Sequence, residues 1–240
     1  MAGALKSRFA TPSIEPVLRR LSTLAGLSEA ELALAADLAG SRQRHAVGEV
    51  LVAEGDNRGA SRFVVAGWAT RQRILPDGRR QIFGFALPGD LCGGVLPPPC
   101  PLVALTAVET VDATPLLKAA RSGQAPGLAR ALAREQVIDQ AILFDHMVRL
   151  GRQTAYERVA HFLLELRGRL QIAGLGDAQR FPMPLTQEVL ADVLGLSIVH
   201  VNRTLQQLRR ERLIELRSGV AILLQPDVLA QIADYRSAAA

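Results

Sequence analysis

Residues 185–224, LTQEVLADVLGLSIVHVNRTLQQLRRERLIELRSGVAILL, constrain the fold more than any other stretch of this chain. Their pattern predicts a helix, a tight turn at Gly195, a second helix and a two-stranded hairpin. Thr186 and Ser197 stand where each of the two helices needs an N-cap residue. The glycine and the two caps together predict a helix-turn-helix followed by a β-hairpin.

The second helix of this motif has two chemically different sides. At about 100° per residue, Val201, Leu205 and Leu208 share an apolar side. The opposite side carries guanidinium, amide and imidazole groups, which can reach guanine and adenine edges in the major groove of DNA. We expect Arg203 to contact a base and Arg217, at the hairpin, to contact the phosphate backbone. The predicted DNA-contacting residues are Thr186, Ser197, Val199, His200, Asn202, Arg203, Gln206, Arg210 and Arg217.

The region before residue 114 changes from a helical to a β pattern. Residues 13–40 predict two short helices, with Ser28 as the N-cap of the second. Residues 44–113 contain short apolar segments separated by turn sequences such as Pro76-Asp77-Gly78. Regular short strands between such turns predict a jelly-roll barrel.

A long helical pattern follows over residues 127–150. Val137, Ala141, Phe144 and Val148 recur at steps of four, three and four, and Ile138 and Ile142 widen this apolar stripe. One barrel face can cover only part of so broad a stripe, so we expect the rest to pack against the same helix of a second subunit. A helix buried wholly within one subunit is the alternative. Gly151 is expected to end or kink the helix.

Composition bounds the function classes. The chain has 240 residues, a formal charge of +5 and two cysteines. No apolar run approaches the roughly 20 positions of a membrane-spanning helix, and the N-terminus lacks a signal-peptide core. We therefore expect a cytoplasmic protein without a membrane partner. The cysteines are too few for a four-ligand metal site, and the histidines lack metal-binding spacing, so no metal and no cofactor is predicted.

Three parts of the chain resemble the CRP/FNR superfamily of bacterial transcription regulators. VGEVLVAEGD, PDGRRQIFGF and LPGDL resemble its sensor-domain strands and turns, the long helix is similar to its dimerisation helix, and LGLSIVHVNRTLQQLRRERLI resembles its DNA-recognition motif. The resemblance implies an α+β fold. Its parts are a flexible N-terminus at 1–20, a cyclic-nucleotide-binding-like jelly-roll barrel at 21–126, a dimerisation helix at 127–151 and a winged helix-turn-helix domain at 152–240.

The resemblance also implies a function without catalysis. A homodimer would bind double-stranded DNA at a two-fold symmetric site, with half-sites about one helical turn apart. The resemblance also makes RNA polymerase a candidate partner. Arg203 matches the family's base-contacting arginine, whereas Val199 stands where many members have a base-contacting glutamate. His200 and Asn202 are candidates to replace that contact.

The sensor region departs from the cyclic-nucleotide-binding members of the family. In CGGVLPPPCPLV, Gly94 stands where their glutamate would be, and Pro101 and Leu102 stand where their arginine and its hydroxyl neighbour would be. Burying a cyclic phosphate without a cation costs several kcal/mol, so we expect no tight cyclic AMP binding. The expected effector pocket, whatever its ligand, is lined by Phe85, Gly89, Leu91, Gly93, Gly94, Leu102 and Val103.

Other functions were weighed against this one. Cys92 and Cys100 could form a thiol switch, although two small apolar side chains are the simpler interpretation. The resemblance makes an iron-sulfur sensor unexpected, since that branch uses an N-terminal cysteine cluster. A ligand-binding module acting on a protein partner remains an alternative. A cupin-type metalloenzyme needs several histidines in the β region, where only His45 occurs.

Overall fold

The computed structural model describes residues 13–56, 61–93 and 98–236. Two helices come first, α1 (Glu15–Leu24) and α2 (Glu29–Asp37), followed by a 3₁₀ turn at Leu38–Ser41. Ser28 caps α2 as expected, in a capping box with Glu31. Val17 is fully buried. The segment expected to be flexible up to residue 20 is therefore already an ordered helix from Glu15, because α1 has an apolar side to bury.

The β region forms two four-stranded antiparallel sheets among the described residues, with strand orders β1-β8-β3-β6 and β2-β7-β4-β5. Two facing sheets fit the jelly-roll prediction, although no strand pairing within 43–56, 61–93 and 98–112 joins them into one closed wall. Val64, Cys92, Leu102 and Val108 belong to the apolar core of this region. The strands are β1 (Gln43–His45), β2 (Val50–Val52), β3 (Arg62–Ala66), β4 (Ala69–Ile74), β5 (Arg80–Ala86), β6 (Leu91–Cys92), β7 (Leu102–Ala104) and β8 (Val108–Asp112).

Gly67 makes the turn between β3 and β4 possible. Its φ is +79°, and a Cβ atom placed there would lie 2.0 Å from the carbonyl oxygen of Ala107. Any side chain at this position would force the two backbones apart. The close approach holds β4 beside the turn that precedes β8.

Three helices connect the β region to the C-terminal region: α3 (Thr114–Arg121), α4 (Pro126–Arg152) and α5 (Ala155–Ile172). Proline at the first position of α4 suits a helix start, because its missing N–H would have had no intrahelical partner. Gly151 lies within the last turn of α4, so the helix ends one residue beyond it. Thr154 then caps α5 in a capping box with Glu157.

The C-terminal region contains the predicted motif. Its elements are β9 (Arg180–Pro182), α6 (Gln187–Leu194), α7 (Ile198–Arg210), β10 (Ile214–Arg217), β11 (Val220–Leu223) and α8 (Pro226–Ala233). The hairpin of β10 and β11 gains β9 as a third antiparallel strand, in the order β10-β11-β9. Among the described residues, no helix has both the length and the apolar character that a membrane span requires.

The β region and the C-terminal region share one apolar core. Trp68, Ile82, Phe85 and Leu87 belong to the same buried cluster as the inward side chains of α5 to α8. The ring of Phe85 lies 5.7 Å from that of Trp68 and 5.7 Å from that of Phe162 in α5. The helix-turn-helix is therefore held directly against the β4–β5 hairpin. Phe85, which was expected to line an effector pocket, is therefore part of this core.

Candidate nucleic-acid interface

Helix α6 and the turn after it are built as the sequence predicts. The hydroxyl of Thr186 accepts a hydrogen bond from the backbone N–H of Val189 at 3.2 Å. Gly195 ends the helix in the left-handed conformation, with φ +62°. A Cβ atom at Gly195 would lie 3.0 Å from a side-chain carbon of Leu150, the neighbouring end of α4. Glycine thus satisfies both the backbone and the packing of the turn.

Arg158 of α5 holds this turn in place, and the sequence analysis did not single it out. Its guanidinium donates to the carbonyl oxygens of Leu150 at 2.9 Å, Gln153 at 2.8 Å and Leu194 at 3.0 Å. One side chain therefore joins the end of α4 to the end of α6. The three carbonyls are orphaned by the ends of helices, and a planar donor fork suits them. The three carbonyl groups come together only in the folded chain, so the role of Arg158 could not be predicted from the sequence.

Helix α7 presents its polar face to solvent. Ser197 caps it by accepting from the backbone N–H of His200 at 3.2 Å. Val201, Leu205 and Leu208 are at most 2% exposed, so the apolar side predicted from the sequence is buried. The opposite side lies on the surface, with Asn202 half-buried and the others exposed: Val199, His200, Arg203, Gln206 and Arg210. No acidic residue interrupts the helix from Ile198 to Arg210.

Two hydrogen bonds order the amides of this face. The Gln206 side-chain amide donates to the Asn202 side-chain oxygen at 3.0 Å. Gln207 donates to the Glu211 carboxylate at 3.0 Å, and the Tyr156 hydroxyl also donates to Glu211. Gln207 is thus turned towards the end of the helix, away from a DNA-facing position. Asn202 and Gln206 keep free amide atoms for base edges.

The hairpin β10–β11 turns at Ser218 and Gly219, which have φ of +48° and +76°. Two successive positive φ values are typical of the tight hairpin turn predicted from the sequence. Arg217 precedes the turn with its side chain 74% exposed, and it pairs with Glu215 at 2.9 Å. An exposed pair of this kind is weak, so Arg217 can exchange Glu215 for a phosphate.

A buried ionic network joins the β region to α5. Arg169 of α5 donates to the Asp90 carboxylate and, at 2.8 Å, to the Phe85 carbonyl oxygen. Arg20 of α1 lies 3.4 Å from the same carboxylate and 2.8 Å from Glu135 of α4. Burial alone would raise the pKa of Asp90, but the neighbouring Arg169 and Arg20 hold that pKa below its usual value. Asp90 is therefore an anion between two buried cations.

A positively charged side chain lies beside the expected effector pocket. Arg71 of β4 pairs in register with Leu102 of β7, one of the expected lining residues. Arg71 also pairs with Asp139 of α4 at 3.5 Å, with both side chains one-third exposed. Strand β4 therefore brings a cation beside an expected lining residue, although Pro101 and Leu102 themselves offer none.

The residues expected to line an effector pocket have different surroundings in the structure. A Cβ atom at Gly89 would lie 2.9 Å from the carbonyl oxygen of Pro16, so Gly89 backs onto α1. Leu102 is 4% exposed in the core of the β region, and Leu91 packs against the core formed with α1 and α3. Gly93 and Val103 are half-buried, and Gly94 falls outside the described residues.

The two cysteines are poorly suited to a thiol switch. Cys92 is 1% exposed, and burial raises its pKa to about 12. Burial also raises the pKa of Cys100, which is only partly exposed. Both thiols stay protonated near neutral pH, and the thiolate is the reactive form. His45 is likewise occupied, between Glu49 at 2.7 Å and Thr110 at 3.1 Å.

The apolar stripe of α4 divides into an outer and an inner part. Val137, Phe144 and Val148 are 66%, 56% and 54% exposed, and Ala141 lies between them. Ile142 is only 9% exposed, and Ile138 packs against the core of α1 and α3. Ile142 is buried within its own subunit, whereas Ile138 stays half-buried. Met147, 62% exposed, extends the outer part instead.

Comparison with known proteins places this geometry among DNA-binding regulators. The profile of the Crp-like helix-turn-helix domain matches residues 157–232. The nitrogen fixation regulation protein FixK of Bradyrhizobium diazoefficiens is 37% identical over 190 residues, which cover 78% of this chain and 79% of FixK. The transcriptional activatory protein AadR of Rhodopseudomonas palustris is 33% identical over 191 residues, 75% of this chain and 76% of AadR.

A solved structure extends the similarity to the whole fold. The structure of FixK2 from Bradyrhizobium japonicum superposes with a TM-score of 0.68 at 28% identity. The match covers 80% of this chain and 96% of that one. The sheet-rich N-terminal region, the long helix and the helix-turn-helix therefore occur together in a related protein.

Proposed function

The chain belongs to the CRP/FNR family of DNA-binding transcription regulators, and from this premise we propose that it acts as a homodimer on a two-fold symmetric DNA site. One observation carries the proposal: α7 is capped, buried along one side, and exposes a face of hydrogen-bonding and cationic groups free of acidic residues. Such a helix suits the major groove, where its first turns enter deepest.

The proposed contacts fall into two classes. Arg203, Asn202, His200, Val199 and Gln206 face base edges and supply sequence preference. Outer contacts hold the protein on the phosphate backbone without sequence preference. In this proposal they come from the hydroxyls at the two helix N-termini, the last turn of α7 and the hairpin: Thr186, Ser197, Arg210 and Arg217.

The proposed dimer places the outer stripe of α4 against its copy. Val137, Phe144, Met147 and Val148 are more than half exposed, and four large apolar side chains in one stripe favour burial. Arg158 links the end of this helix to the end of α6. A change in how the two α4 helices pack would therefore move the two α7 helices relative to each other, which shifts the population between binding and non-binding dimers.

The proposed signal enters through the β region, and its identity is open. Cyclic AMP is not the proposed ligand, because by the resemblance Gly94, Pro101 and Leu102 stand where cyclic-nucleotide-binding members have the glutamate, the arginine and its hydroxyl neighbour. A calorimetric titration with cyclic AMP that gives a submicromolar Kd would contradict this. The matched relatives are regulators by name, so the proposal includes no catalysis. It does include a cytoplasmic location and contact with RNA polymerase at target promoters.

Selection from random duplex DNA with the full chain tests the proposal. We expect the bound pool to converge on an inverted repeat, with one dimer per duplex by light scattering. We also expect binding to unselected DNA to be weaker and to fall steeply with added salt. A pool that stays random after repeated rounds, or converges on a site bound by one subunit, would contradict the proposal.

A further inference from the structure

Val199 is the most exposed large apolar side chain of α7. It is 77% exposed in the helix's first turn, two residues after the capping residue Ser197. A β-branched residue there has a lower helix propensity than most residues, and its exposed side chain packs little against its own subunit. Single exposed apolar residues are common on protein surfaces, so exposure alone decides nothing. Its position on the helix is the informative part.

Val199 lies at the centre of the polar face. At about 100° per residue, Arg203, Gln206 and Arg210 all fall within roughly 40° of the Val199 direction. All three are exposed, whereas the buried Val201 and Leu205 point to the other side. Val199 therefore faces a base close to the one that Arg203 contacts. In a complex with DNA, this valine is directed into the major groove.

The chemistry of the major groove limits what a valine can recognise. Hydrogen-bond donors and acceptors line the base edges, and the one apolar feature of an unmodified base pair is the C5-methyl group of thymine. A valine gains from that methyl group, and it gains nothing from a cytosine amino group. We infer that Val199 selects a thymine in each half-site by contact with its C5-methyl group. This inference rests on the proposed function.

The geometry also positions the thymine relative to the base that Arg203 contacts. Residues four apart on a helix are separated by roughly 6 Å along its axis. Successive base pairs are separated by about 3.4 Å, so the thymine lies within about two base pairs of the Arg203 contact. A glutamate at this position could instead accept a hydrogen bond from the cytosine amino group, so the side chain at position 199 decides which base is preferred.

Replacing thymine by uracil tests the inference, because uracil lacks only the methyl group. The experiment uses the full chain and the duplex selected from random DNA, and replaces each thymine pair of the two half-sites in turn. We expect one position per half-site where uracil weakens binding about fourfold, or about fifteenfold with both half-sites changed, from the loss of one methyl contact. 5-Methylcytosine at the same position should bind more tightly than cytosine.

The variant Val199→Ala should bind thymine and uracil duplexes about equally at that position. Val199→Glu should shift the preference there from thymine to cytosine, while the Arg203 position keeps its preference. Val228→Ala is a matched control, since Val228 is a partly exposed valine of α8 outside this face. It should leave the discrimination against uracil unchanged.

The possible outcomes separate this inference from the proposed function. If the chain selects a specific site but no uracil replacement weakens binding, Val199 does not recognise a methyl group, and the DNA-binding proposal stands. The inference is also wrong if Val199→Ala keeps the full discrimination. If no sequence is selected at all, the proposed function fails, and the inference fails with it.

Discussion

Arg169 in α5 donates a hydrogen bond to the buried carboxylate of Asp90, in the turn that follows β5. The contact spans the boundary between the β region and the region that carries the helix-turn-helix. Both side chains are at most 7% exposed, and a second cation, Arg20, lies on the other side of the carboxylate. A buried charge with two buried partners of opposite sign fixes how the two regions dock.

Asp90→Asn should destabilise the protein by about 3–5 kcal/mol, because two buried guanidinium groups would lose their shared anion. Urea unfolding at pH 7 measures the change in the free energy of unfolding. Asp77→Asn is the control, since Asp77 forms an exposed pair with Arg79 and its substitution should change the free energy of unfolding far less. Equal, small effects of both substitutions would show that the Asp90 network does not stabilise the docking.

Stability should fall as pH is lowered from 7 to 5. Burial, and then the nearby Arg149, lower the pKa of His146 and of His161 to about 4. The unfolded histidines bind protons near pH 6.5, so the unfolded state holds more protons between pH 6.5 and 4. The stability present above pH 6.5 is therefore lost as pH falls towards 4. We expect a loss of roughly 2 kcal/mol for each histidine between pH 7 and pH 5.

Urea midpoints at the two pH values check this expectation. The double variant His146→Gln, His161→Gln should show a smaller loss than the native sequence. His200→Gln, which replaces an exposed histidine of α7, should keep the native pH dependence. An unchanged pH dependence in the double variant would assign the effect to other groups.

Arg203→Ala and Arg217→Ala should weaken DNA binding in different ways. Arg203→Ala should cost about 1–3 kcal/mol on the selected site and relax the preference at one position. Arg217→Ala should weaken selected and random DNA alike and reduce the salt dependence by about one phosphate contact. Binding titrations of both duplexes at several salt concentrations distinguish the two patterns. Identical behaviour of the two variants would contradict the roles proposed for them.

Phe144→Glu should convert the protein to monomers and abolish specific DNA binding. Phe144 is 56% exposed at the centre of the outer stripe of α4, where a dimer would bury the added charge. Leu143→Glu is the control, because Leu143 is also exposed but points roughly 100° away from Phe144. Analytical ultracentrifugation reports the mass. A dimer that tolerates Phe144→Glu would place the interface elsewhere.

Local chemistry explains which features the sequence predicted well. The caps Ser28, Thr186 and Ser197 and the turn at Gly195 depend on neighbouring residues, so their hydrogen bonds follow from the order of residues. The buried and exposed sides of α7 follow from its period. Short elements were missed: β6 has two residues and β9 has three, too few for a pattern.

Long-range contacts explain the errors. Ile142 and Phe144 both belong to an apolar pattern, and the sequence does not show which neighbour covers each side of α4. Asp90 and Arg169 are 79 positions apart, so their pairing appears only when the chain is folded. Arg71 of β4 pairs with Leu102 of β7 across the sheet, which the order of residues does not show. In each case, the sequence does not show which distant residue a side chain contacts.

The spacing of the two half-sites tests the central claim most directly. Affinity for the selected inverted repeat is compared with duplexes in which about 5 or about 10 base pairs, half a turn or a full turn of DNA, are inserted between the half-sites. We predict that the half-turn insertion reduces affinity to the level of a single half-site, because it turns one half-site away from the second α7. Equal affinity for the native spacing and the half-turn insertion would contradict a dimer that presents two helices to one face of DNA.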